Sequence, residues 1–153
     1  MNVYEERLKR YIQESGVEAV HLTFDASCHS VADAAKAVGA PETSFVKNVC
    51  MVAEDTFIVA IVKGEHRAST SRVAKALGVE RPRVAEPEEV LERIGYPVGG
   101  VPSFGYDAVF VVDEKVMDED DVYSGGGSPN ALVRISPTAL VAENGAMVAR
   151  VRK

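Results

Sequence analysis

The sequence predicts one α+β domain over residues 1–153, a mixed β-sheet with helices packed on it. Three observations predict it. Segments with helical spacing of apolar residues alternate with short β-branched runs, but not in regular βαβ order. Strand-like segments near 45–62 and 107–135 lie close enough in sequence to pair as hairpins, which a purely parallel sheet excludes. No linker or low-complexity tract divides the chain, and 153 residues with 46% hydrophobic and 26% charged content suit a single buried core.

Taken in order, Tyr4, Leu8, Tyr11 and Ile12 mark an amphipathic helix over residues 2–15, with Glu5/Lys9 and Glu6/Arg10 as i,i+4 pairs and Gly16 as its stop. Residues 19–24 read as a strand. Ser30 starts a second helix, with Asp33 completing a capping box and Gly39-Ala40-Pro41 ending it. Strands at 45–53 and 57–62 flank a turn at Glu54-Asp55. A third helix runs from about 70 to 77 and stops at Gly78; a short strand covers 83–85, and Pro87 opens a fourth helix that reaches 94. After a loop over 95–105, strands are expected at 107–112, around Val122 and at 131–135. A short helix then follows Ser136-Pro137, and a strand covers 146–151.

The net charge of −6 excludes a protein that coats nucleic acid by charge alone. A short nucleic-acid end gripped by a local cluster of lysine and arginine remains open. No run approaches the roughly 20 apolar residues that cross a bilayer, so no membrane partner is expected. Glu5, Glu6, Arg7, Lys9 and Arg10 interrupt any early export signal, and a cytoplasmic location is the expectation. Cys28 and Cys50 are too few for a disulfide framework and read as plain buried residues. His21, His29 and His66 show no ligand spacing with each other or with the cysteines, so neither metal nor cofactor is expected. The acidic run at 118–121 reads as a solvated turn.

Three features can carry chemistry. Lys47 stands alone among Phe45, Val46, Val49, Cys50, Met51 and Val52; a strand lysine either snorkels to an edge or turns its ammonium into a cleft. The run Gly99-Gly100-Val101-Pro102-Ser103-Phe104-Gly105 is either a tight connection or a rigid turn whose N–H groups hold a phosphate or an oxyanion. The run Tyr123-Ser124-Gly125-Gly126-Gly127-Ser128 is either a flexible hairpin loop or a second backbone wall of a pocket. It lacks the Gly-x-Ser-x-Gly spacing of a nucleophile elbow and the Gly-Lys-Ser/Thr ending of a phosphate loop. His29 and Ser30, at the positive end of the second helix, are placed to contact a ligand or to serve only as cap residues.

In their order these segments resemble the YbaK/prolyl-tRNA synthetase editing-domain family over roughly residues 29–140. The resemblance is carried by Ser30-Val31-Ala32-Asp33-Ala34-Ala35, by Phe45-Val46-Lys47-Asn48, and by the long run from Arg83 to Val90 continued by Gly95-Tyr96-Pro97-Val98-Gly99-Gly100-Val101-Pro102. Ser124-Gly125-Gly126 and Ser136-Pro137-Thr138-Ala139-Leu140 complete it. It implies a mixed α+β fold and a free-standing trans-editing deacylase that hydrolyses mischarged aminoacyl-tRNA at its 3′ end, with a small amino acid such as alanine, serine or cysteine as the acyl group. The implied partners are the aminoacyl-tRNA acceptor end and an aminoacyl-tRNA synthetase.

By that resemblance Lys47 and Gly100 are the candidate catalytic residues. His29, Ser30, Gly99, Val101, Pro102, Ser124, Gly125 and Gly126 are the candidate substrate-binding ones. Some family members carry a basic and an acidic residue just after the second loop, where this chain has Ser128-Pro129-Asn130-Ala131. That departure keeps a second reading in view: a non-catalytic module that binds a tRNA 3′ end or a synthetase. A third is an unrelated hydrolase with Ser124 or Ser128 as nucleophile, though no Ser-His-Asp or Cys-His set accompanies them.

Overall fold

Thr56–Lys63 (β3) is the strand on which the molecule is built. The computed structural model describes residues 2–25 and 30–153, and in it Phe57 to Val62 are buried without interruption. Such a run, apolar on both faces, is what a central strand covered on both sides requires. β3 pairs antiparallel with Val46–Ala53 (β2) through the Glu54-Asp55 turn, and parallel with Val109–Asp113 (β5). Arg83–Val84 (β4) adds to the far side of β2, and Met147–Ala149 (β8) to the far side of β5. This is the expected mixed sheet.

A second sheet, not expected as a separate unit, is antiparallel: Ala19–Thr23 (β1), Ala131–Ile135 (β7) and Val122–Gly125 (β6), with β7 in the centre. Only the last two of the strands near 107–135 form a hairpin, because β5 takes its partners in the large sheet.

The helices fill the remaining faces. Val3–Ser15 (α1), Pro87–Ile94 (α4) and Pro137–Asn144 (α5) send Leu8, Val90, Ile94 and Leu140 into the largest core cluster, with Cys50, Val59, Val112, Val133 and Ile135. Thr70–Leu77 (α3) covers the other face of the large sheet, where Val73 meets Met51, Ile58 and Val62. Val31–Val38 (α2) packs Ala34 and Ala35 on Phe45 and Leu132.

Caps explain where the helices begin and end. Asn2 and Glu5 form a reciprocal box, each side chain bonded to the other's backbone N–H at 2.8 Å. Glu5 is therefore buried and does not make the expected pair with Lys9. At α2 only half of the expected box forms: Ser30 Oγ accepts the Asp33 N–H at 3.0 Å, and no return bond from Asp33 accompanies it. Aspartate is one methylene shorter than the glutamate that closes such a box. Among the described residues no helix is long and apolar enough to cross a membrane.

Candidate active site

The two sheets touch where Phe45, just before β2, bridges to Tyr123 on β6; their rings stack with centroids 4.9 Å apart. From that contact β2 and β6 run on without backbone pairing to each other, and a cavity of about 280 Å³ lies between them. Lys47 and Asn48 line it from β2, Gly99 to Val101 from the loop after α4, Ser124 and Gly125 from β6, and Ser30, Val31 and Ala34 from the start of α2. Seven of the expected site residues therefore meet on one cavity: Ser30, Lys47, Gly99, Gly100, Val101, Ser124 and Gly125.

Pro102 and Gly126 do not line it. Pro102 is buried behind the loop, its carbonyl accepting the Tyr106 hydroxyl at 2.5 Å. Gly126 turns its carbonyl to His21 Nε2 at 2.8 Å. His29 lies outside the described residues, as does Cys28. Cys50 is buried, and burial pushes its thiol up to about 12, which removes thiolate chemistry.

Lys47 is half-buried, and its ammonium has no carboxylate partner among the described residues. Burial, and then the nearby Arg67 guanidinium, hold its pKa below the usual lysine value. Sequence reasoning passed over Arg67. Both effects disfavour the charged form, so the ammonium loses its proton at a lower pH than a free lysine; below that pH it is a cation facing a cavity. An NMR titration of the Lys47 side chain should show a midpoint below that of ordinary lysines, and Arg67→Gln should move it upward. A midpoint at the ordinary value, unmoved by Arg67→Gln, would refute the cationic pairing.

The glycines serve a purpose that composition does not reveal. Gly100 lies against the backbone of Gly127 and Ser128, and Gly125 against the backbone of Val101 and Gly100. The Gly127 N–H donates to the Gly100 carbonyl at 2.9 Å. The two loops are thus packed main chain to main chain, with no room for a Cβ at either contact. The Gly100 N–H is itself given to the Pro97 carbonyl at 2.9 Å, closing a 3₁₀ turn over Val98–Gly100, so that donor is already committed. Ser124 and Gly125 belong to a strand and not to a flexible loop.

Asn48 was missed, although a polar residue in register with Cys50 and Val52 on a buried strand must find partners. Its amide nitrogen donates to the Val101 carbonyl at 2.9 Å and to Ser124 Oγ at 3.0 Å, and its oxygen accepts from Ser103 Oγ at 2.7 Å. Ser103 and Ser124 hydroxyls bond each other at 2.5 Å, both essentially fully buried. No imidazole or carboxylate bonds either hydroxyl among the described residues, and Ser128 Oγ accepts from the Asn130 N–H at 3.1 Å. Neither serine has the base that a nucleophile needs.

Comparison with known proteins places this geometry. The sequence model of the aminoacyl-tRNA editing domain matches residues 25–142. The proline–tRNA ligase of Thermotoga neapolitana is 25% identical over 97 residues, 63% of this chain but only 17% of the ligase. The uncharacterized protein YwhH of Bacillus subtilis is 27% identical over 120 residues, 76% of each chain. A solved structure of a candidate trans-editing enzyme for prolyl tRNA synthetase superposes with a TM-score of 0.92 at 30% identity, covering 100% of this chain and 99% of that one. A hypothetical protein superposes with a TM-score of 0.87 at 32% identity, covering 96% and 99%.

Proposed function

This chain belongs to the aminoacyl-tRNA editing domain family, and on that premise we propose that it is a trans-acting deacylase that hydrolyses the ester of mischarged aminoacyl-tRNA. The observation that carries the reading is the convergence of a half-buried, carboxylate-free lysine and two main-chain walls on one cavity. Action in trans is supported by the end-to-end match to the candidate trans-editing enzyme.

An aminoacyl ester is already activated, so positioning and polarisation of its carbonyl suffice to speed hydrolysis. Lys47 anchors the phosphate or adenosine end of the acceptor, with Arg67 beside it. The walls at Gly99 to Val101 and at Ser124-Gly125 receive the ester carbonyl and the ribose hydroxyl. Gly100 acts through its missing side chain, which lets the walls close, and not through its N–H. Attack by water, or by water activated by the substrate's own groups, forms the new carbon–oxygen bond. The ribose oxygen then leaves with a proton, giving free amino acid and deacylated tRNA. A cavity of about 280 Å³ lies at the lower limit of small-molecule sites, roughly 300 Å³, which supports a small acyl group such as alanine, serine or cysteine with the terminal base held outside. The acidic net charge, against this local pair of cations, supports recognition of the acceptor end alone. The deacylase acts in the cytoplasm, with a synthetase as its companion.

Lys47→Ala removes a charge-assisted contact worth about 1.5–3 kcal/mol. Its kcat/KM on a mischarged tRNA should fall by roughly 10- to 100-fold, mainly through KM, with the fold intact by circular dichroism. A folded variant that deacylates at the wild-type rate would sink the mechanism. Failure of the wild type on a full panel of mischarged tRNAs, with acceptor binding retained, would favour the non-catalytic module.

A further inference from the structure

We infer that Asn48 is a positioning residue of the deacylation site, setting the distance between its two main-chain walls; the inference rests on the deacylase reading. Asn48 is the residue through which β2, the Gly99–Val101 segment and β6 are joined. Its two amide hydrogens go to the Val101 carbonyl and to Ser124 Oγ, and its oxygen receives the Ser103 hydroxyl. All three partners are buried, and two of them, Val101 and Ser124, line the cavity themselves.

The network continues away from the cavity. The Ser103 carbonyl accepts from Asn144 Nδ2 at 2.9 Å, so α5 holds the same loop from behind. The Ser103–Ser124 hydroxyl pair closes the ring between the loop and β6. A buried polar network with its members satisfied is rigid, and loss of a shared member loosens all its contacts together. Main-chain packing at Gly100 and Gly125 presses the walls together, while Asn48 fixes where along each other they stop.

Lys47, the preceding residue, lines the same cavity and does not depend on the amide for its charge. Loss of Asn48 should therefore spare acceptor binding and disturb the carbonyl-holding geometry. Displacement by about 1 Å at a reacting centre costs up to about 100-fold in rate.

The test compares wild type, Asn48→Leu and Asn48→Asp on one mischarged tRNA. Leucine fills the same space with no hydrogen bond. Aspartate still accepts the Ser103 hydroxyl, but it has no hydrogen to give to Ser124 Oγ and sets an oxygen against the Val101 carbonyl. Both should lower kcat by roughly 10- to 100-fold while KM changes by less than about threefold, with cooperative unfolding retained by at least one of them. A folded variant with wild-type kcat, or a fall in kcat/KM carried by KM alone, would overturn the positioning role while leaving the deacylase reading in place. A wild type that cleaves no ester would overturn that reading and this inference with it. If both variants fail to unfold cooperatively, Asn48 is a structural residue and the inference falls.

Discussion

Gly125→Ala should lower the stability of the protein by about 3 kcal/mol, the upper part of the range for overpacking a well-filled interior. The strand conformation of β6 accepts alanine, so the penalty is steric. A Cβ at Gly125 would run into the Val101 carbonyl, with the Gly100 carbonyl carbon 3.1 Å away. Main chain on both sides cannot rotate aside as a side chain can. Gly99→Ala is the control. Its Cβ would meet only Pro129 Cγ, at an ordinary 3.5 Å, and it should cost less than about 1 kcal/mol. Urea unfolding separates the two through their midpoints at unchanged slope. Equal midpoints for Gly125→Ala and the wild type would show that the walls are not in main-chain contact.

Asp113→Asn should also lose about 3 kcal/mol at neutral pH, the lower end of the cost of breaking a buried ion pair from one side. Asp113 is fully buried at the end of β5. Its carboxylate accepts the Val151 N–H at 2.9 Å, the Arg152 N–H at 3.0 Å and the Lys115 N–H at 3.1 Å, and pairs with Arg152 Nη1 at 3.2 Å. Asparagine would turn an amide toward donors that need an acceptor.

Burial pushes the Asp113 pKa up, but the three backbone N–H groups and the guanidinium outweigh burial and hold it below the usual carboxylate value. The unfolded chain thus takes up a proton at a higher pH than the folded one. The carboxylate's contribution is fully present above the unfolded value, about 3.9, and is lost as pH falls through the lower folded value. The gap between wild type and Asp113→Asn should therefore narrow only in strong acid. A gap that closes at pH 5 would contradict this ordering.

Local chemistry made the helices legible. Thr70–Leu77 and Pro87–Ile94 have the expected bounds because the left-handed Gly78 and Gly95 end them, and Pro87 occupies a first-turn position. Strand ends were less legible, because a strand stops where its partner stops: the expected 146–151 is paired only over Met147–Ala149. The division into two sheets was hidden for the same reason, since nothing near residue 20 announces a partner near residue 133. At the site, Lys47 stood out as a charge in an apolar strand. Ser124 and Gly125 were read as loop because glycine usually marks one; pairing with Leu132 and Val133 draws them into β6. Composition left the glycines divided between turn and ligand contact, and contact between two segments 25 residues apart, at Gly100 and Gly125, appears only in three dimensions.

The pairing of β1 with β7 sets the order in which the site can be made. Ala19 lies opposite Ile135 and Thr23 opposite Ala131, so residues 24–130 are synthesised between the two partners. At about 5–20 residues per second, β1 waits on the order of ten seconds on the ribosome before its neighbour emerges. The large sheet's β2–β3 hairpin, joined by two residues, has no such delay. Lys47 is therefore in place on β2 early, while the opposing wall on β6, Val122–Gly125, is made much later, and the cavity closes only once it has emerged.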